Sequence, residues 1–243
     1  MMWITVVLIL LNGIAVCASA ETSVNLMYYF IGGDLEADRG AASRDIKELL
    51  RTEPPEGVHV FIATGGCDSG RLDGLWQHAP NVSEIRDQEL IHMGALPGES
   101  MGTPDSLSAF LGMCQAWRPA ERLVLILWGH GTGNGIGYDL LYGGDELELS
   151  ELAQGITDSG LAIGLIGLDA CSMATDETCS VLEPLGAVVV ASANAESLHG
   201  WPNHLWLQYA DLPTDVLAAK IAEAVNSESA REGRLAGAMV FGQ

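Results

Sequence analysis

Lysine is nearly absent from this chain. Only Lys47 and Lys220 occur, and neither Lys nor Arg lies between Arg122 and Lys220. With 11 basic against 32 acidic residues, the formal net charge is −21. So negative a surface repels phosphate backbones and anionic headgroups, which argues against nucleic acid and anionic membranes as partners. It favours cationic ligands instead. Cysteine is sparse as well, five in 243 residues, too few for a disulfide scaffold. There is no H-E-x-x-H and no paired C-x-x-C, which disfavours a zinc site. Gly131, Gly133, Gly135 and Gly137 match neither dinucleotide nor P-loop spacing, so their expected role is a mobile loop. No metal or cofactor is expected, and a need for calcium is left open. No internal repeat or low-complexity linker divides the chain, so residues 21–243 read as one domain, large enough for a full core.

The opening MMWITVVLILLNGIAVCASA carries no charge. Its apolar stretch and the Ala18-Ser19-Ala20 site read as a secretory signal peptide over residues 1–20, with a lone membrane anchor as the rival reading. No later run is long enough to cross a bilayer. The expected product is a secreted or periplasmic monomer, free of the membrane once cleaved. It keeps Cys67, Cys114, Cys171 and Cys179.

Apolar runs and breakers alternate along the rest. Val24 to Ile31, Val58 to Thr64, Leu123 to Trp128, Ile163 to Asp169 and Val188 to Ala191 read as strands. Leu235 to Phe241 is a last candidate. Helical spacing covers Leu35 to Arg51, Thr103 to Trp117, a segment from Leu149 with Ser150 as N-cap, Ser172 to Leu185, and a segment from Thr214. Cys67 to Met101 is irregular, with a small β-excursion around Val82 to Leu90. Asn81-Val82-Ser83 is a glycosylation sequon. Alternating strands and helices predict a mostly parallel sheet covered on both faces.

Two of the strands stop at reactive side chains. One ends at His130, the other runs through Asp169 and Ala170 to Cys171. In open α/β sheets, functional groups gather beyond the carboxyl ends of strands. A thiol and an imidazole delivered there form a nucleophile with its proton carrier. Cys171 is expected at the start of a helix, where free amides favour a thiolate. The backbone amides of Gly131 and Cys171 are the candidate oxyanion hole. Taken singly, a buried Cys is more often core, and a His more often a satisfied polar residue.

The segments YYFIGGDLEADRGAASRDIKEL, LVLILWGHGTG, IGLDACSMATDETCSVLEPLG and ASANAESLHGW resemble the clostripain family of cysteine peptidases over about residues 22–225. That resemblance implies the caspase-like three-layer α/β sandwich and a His130–Cys171 dyad. It also implies Asp169 in the primary specificity pocket, a substrate loop holding Glu196 and Trp201, and cleavage of peptides after Arg or Lys. Acidic walls suit a guanidinium. Two other readings stand beside it: a non-catalytic binding protein with the same fold, and an esterase or amidase using the same dyad.

Overall fold

The computed structural model describes residues 23–235 and 237–242. The signal-peptide reading of residues 1–20 lies outside them. Eight strands form one sheet: β1 (Val24–Ile31), β2 (Val58–Gly65), β3 (Asn81–Arg86), β4 (Glu89–Ala95), β5 (Arg122–Trp128), β8 (Leu165–Asp169), β9 (Val188–Ser192) and β10 (Ala238–Phe241). Their order is β10-β9-β8-β5-β1-β2-β3-β4. The five strands from β9 to β2 run parallel, β10 and β3 run against them, and β4 pairs antiparallel with β3 at the far edge. The remaining strands, β6 (Gly135–Asp139) and β7 (Asp145–Glu148), form a separate two-stranded sheet, and Ile136 of β6 also bridges to Gly131.

Helices cover both faces, as the alternation of elements predicts. α2 (Ala41–Arg51), α6 (Asn203–Trp206) and α7 (Thr214–Arg231) share one core with the sheet, while α3 (Pro104–Trp117), α4 (Leu149–Ser159) and α5 (Asp176–Leu182) share the other. β1 shows why its sequence is an unbroken apolar run. Leu26, Tyr28 and Phe30 point into the first core, and Met27, Tyr29 and Ile31 into the second. A strand buried on both faces has no polar side to alternate with. Burying each such side chain contributes roughly 1.5–3 kcal/mol.

Several sequence expectations are corrected. The helix from Leu35 to Arg51 is two helices, α1 (Gly33–Ala37) and α2, because Gly40 adopts a left-handed conformation (φ 62°) between them. α4 begins at Leu149, not after Ser150, and Glu151 accepts the amide of Glu148 at 3.1 Å. The β-excursion is a full hairpin, β3–β4, turned by Asp87 and Gln88, both at positive φ. Glutamine is an unusual choice there, so no turn signal marked it. Asn81 of the sequon is buried in β3 and donates to the Ala79 carbonyl at 3.1 Å. It presents no free amide for a glycan.

The chain starts mid-sheet at β1, steps to β2 on one side, and later crosses to β5, β8 and β9 on the other. The reversal lies between β1 and β5. Strand order that reverses leaves a crevice outside the carboxyl ends of the flanking strands, and the residues described next stand there. Among the described residues, no helix is long and apolar enough to cross a membrane.

Candidate active site

β5 and β8 are hydrogen-bonded neighbours, with Trp128 opposite Asp169. His130 and Cys171 follow two residues after that pair, so adjacent strands deliver both to one place. They line the same cavity of about 110 Å³, together with Trp128, Leu35, Ala41, Asp169 and Glu196. No hydrogen bond joins imidazole to sulfur directly among the described residues. The His130 Nε2 atom instead lies 2.9 Å from Asp34 Oδ1.

The backbones behind the two side chains are pressed together. A Cβ on Gly131 would stand 2.0 Å from the Cys171 carbonyl oxygen and 2.7 Å from its amide nitrogen. Only glycine allows that approach. Neither the Gly131 nor the Cys171 amide donates to an acceptor among the described residues.

The helix expected at Ser172 starts later. Thr175 is the N-cap, accepting the Thr178 amide at 3.0 Å, and α5 begins at Asp176. Cys171 therefore sits on a turn, followed by Ser172 in a left-handed conformation (φ 56°). No helix N-terminus stands at the thiol to favour its thiolate, contrary to the sequence expectation. What meets the sulfur is the amide of Glu196, which donates to Sγ at 3.2 Å. The glycine-rich segment is also not a free loop. Gly137 donates to the His130 carbonyl at 2.8 Å, and residues 135–148 form the β6–β7 hairpin.

Two carboxyl groups line the cavity and a third is buried behind them. Asp169 is buried, accepts the Trp201 amide at 2.9 Å, and is pushed up to about 7, chiefly by burial. Glu196 accepts from the Trp201 indole at 3.0 Å and is raised well above the usual carboxylate range, first by burial and then by the charge of Asp169. Its Oε2 is shielded from solvent with no hydrogen-bond partner of its own. Burial and their mutual repulsion disfavour ionising both acids at once. Asp45 adds a third. It is buried, accepts from the Trp128 indole at 2.7 Å, and is raised by burial and then by Asp169. The backbone of Gly200 lies between, for a Cβ there would be 2.4 Å from Asp45 Oδ2 and 3.1 Å from Asp169 Oδ2.

The structure thus brings His130, Gly131, Asp169, Cys171 and Glu196 together. Trp201 is close but buried, and it braces the two carboxyls rather than lining the cavity. Sequence reading missed Asp34, Asp45 and Tyr138. Asp34 carried a usable signal, because it follows the end of β1 just as His130 follows β5. All four described cysteines are unpaired, and no cluster of His, Cys, Asp or Glu among the described residues is arranged to hold a metal ion.

Known proteins resemble this chain in fold and family. No curated protein matches the sequence. Three solved structures share the fold. A secreted C11 cysteine protease from Bacteroides thetaiotaomicron, iotapain, has a TM-score of 0.66 at 16% identity, covering 86% of this chain and 62% of its own. A secreted C11 cysteine protease from the same organism, in complex with an irreversible peptide inhibitor, gives 0.69 at 18% identity, covering 87% and 60%. An inactive zymogen C11 protease from Parabacteroides distasonis gives 0.67 at 20% identity, again covering 87% and 60%. The chain therefore spans about three fifths of these proteins' length. The sheet is that of the caspase-like α/β fold of these proteases. The model of the clostripain family, peptidase family C11, matches residues 29–231, and the chain belongs to that family.

Proposed function

We propose that this protein is a secreted cysteine endopeptidase that cleaves peptides after Arg or Lys. The observation that carries the reading is one cavity with a thiol and an imidazole at its mouth and two carboxyl groups on its wall. The apolar side chains of Leu35, Ala41 and Trp128 suit the stem of a long basic residue, and the acids suit its charged head.

In this mechanism Cys171 gives its proton to His130 and the sulfur attacks the scissile carbonyl carbon. The Gly131 and Cys171 amides hold the resulting oxyanion. His130 returns the proton to the departing amine, leaving an acyl-enzyme. Water, deprotonated by His130, then frees the acid and regenerates the thiol. Cleavage-site profiling with an unbiased peptide library tests the proposal. A profile dominated by Arg and then Lys is expected, and a preference for acidic or bulky apolar residues would overturn it.

Gly131→Ala probes the geometry. Its Cβ forces the two site backbones apart, and displacement of about an ångström can cost about a hundredfold in rate. Hydrolysis is expected to fall by that order and the thermal midpoint to drop with it, because the atoms that must give way are backbone. Unchanged turnover would mean that the approach of these backbones is irrelevant to catalysis.

The chain is expected to work uncut. With no Lys or Arg from 123 to 219, an enzyme of basic preference cannot cleave itself between His130 and Cys171, and that connector is folded into β6, β7 and α4. Intact mass after incubation, beside Cys171→Ala, checks this. A cut in the connector that requires Cys171 would sink the basic specificity.

A further inference from the structure

We propose that Asp34 is the positioning residue of His130, accepting its Nε2 proton and so leaving Nδ1 as the atom that exchanges a proton with Cys171. The inference rests on the reading of His130 as proton carrier. An imidazole has two nitrogens, and in the neutral ring one carries the proton while the other offers a lone pair. Proton transfer from a thiol needs the lone pair on the side of the sulfur. Something must therefore hold the proton on the opposite nitrogen.

Asp34 is placed for that task. It stands in the first turn of α1, just beyond the carboxyl end of β1, and β1 and β5 are adjacent strands. Its Oδ1 lies 2.9 Å from Nε2. This is the one side-chain hydrogen bond that Asp34 makes among the described residues, and no Arg or Lys there pairs with it. A carboxylate can only accept, so the bond requires the proton on Nε2. The ring is held from a second direction by Tyr138, whose centroid is 5.1 Å away at an interplanar angle of 41°. The main chain is held from a third, by the Gly137 amide on the His130 carbonyl at 2.8 Å. Rotation of the imidazole is thereby restricted, and Nδ1 is the nitrogen left free.

The rival is an ordinary half-exposed ion pair, contributing little and orienting nothing. Asparagine separates the two. Its amide can donate to an Nε2 lone pair and so favours the wrong tautomer, whereas alanine merely removes the acceptor. A positioning carboxylate makes Asp34→Asn at least as damaging as Asp34→Ala. A surface ion pair makes the near-isosteric Asp34→Asn the milder change.

The test has two arms. In kinetics on an Arg peptide, Asp34→Asn and Asp34→Ala are expected to lower kcat by about a hundredfold with KM within about twofold, and Asp34→Glu to recover part of the loss. In 15N-histidine NMR of the unliganded full chain, at a pH where imidazoles are neutral, His130 is expected as the Nε2–H tautomer in wild type and as a mixture or the Nδ1–H form in Asp34→Asn. The resonance is assigned by its loss in His130→Gln. The NMR arm requires no turnover, so failure of the peptidase reading is told apart from failure of this one. An Nδ1–H tautomer in wild type, or variants that keep kcat within about threefold, would overturn the role of Asp34.

Discussion

Cys171→Ala and His130→Ala are each expected to lower peptide hydrolysis by a factor on the order of 10⁴ or more, while near-UV circular dichroism is expected to stay that of the wild type. In the proposed mechanism the thiol and the imidazole act as one unit, so losing either would remove nearly the whole benefit of both. Neither side chain is packed in the core. His130 is about one third exposed and Cys171 is partly exposed, so their loss leaves the fold intact. The other thiols behave differently. Burial pushes Cys67 up to about 12, and raises Cys114 and Cys179 as well. Those three stay protonated near neutrality, and the thiolate is the nucleophile. Brief treatment with iodoacetamide is therefore expected to add one label, at Cys171, with loss of activity in step. Cys179→Ala keeps its turnover. Near-normal hydrolysis by Cys171→Ala would end the thiol mechanism, and labelling of Cys67 or Cys114 ahead of Cys171 would remove the argument from burial.

The second large effect is a dependence of specificity on pH. In an unfolded chain Asp169 would titrate in the ordinary carboxylate range, but in the fold it stands at about 7. Between those values the folded protein binds the extra proton. The stability this gives is complete below about pH 4 and is lost as pH rises through about 7. A bound cation reverses the preference, because it is attracted to the ionised acid. The groups whose charges couple to Asp169 are Glu196, Asp45 and Glu48, all acidic, while Arg44 acts on Asp45 and donates to the Leu198 carbonyl at 3.1 Å. The kcat/KM ratio between matched Arg and citrulline substrates is expected to rise with pH up to about 7, by up to about tenfold per unit for one proton, and then level off. Taking the ratio cancels the ionisation of the dyad. Asp169→Asn is expected to flatten the ratio and to lower kcat/KM for the Arg substrate at about pH 8 by tenfold or more, about 1.4 kcal/mol. A ratio flat from about pH 5.5 to about pH 8.5 in wild type would exclude Asp169 as the charge that reads the substrate.

Much of this was legible in the residues. The strands with unbroken apolar runs were found because a strand buried on both faces has no alternative: β1, β2 and β5 have almost no polar position. α3 was found end to end, since Thr103 caps it and Pro104 opens it. The misses share a cause. The helix after Cys171 was placed too early because Ser172, Met173 and Ala174 are compatible with helix, yet Ala174 donates to the Ser192 carbonyl and Ser172 to that of Asn194. Those partners lie on another strand and loop, far along the chain. The glycines after His130 looked like freedom and turned out to be close packing, which depends on what stands opposite them.

By itself, the sequence determined the alternation of strands and helices, the acidic charge, and the two strand ends that carry His130 and Cys171. Each of these follows from composition or from spacing over a few residues. Tertiary structure decided that β5 and β8 are neighbours, that Asp34 reaches His130 from the end of β1, that Asp45 and Asp169 meet across Gly200, and that Glu196 is drawn to Asp169. Those residues are separated by tens to more than a hundred positions, and each alone is an unremarkable acid. Their chemistry arises from burial and mutual distance, which strand order and close packing fix and no local pattern encodes.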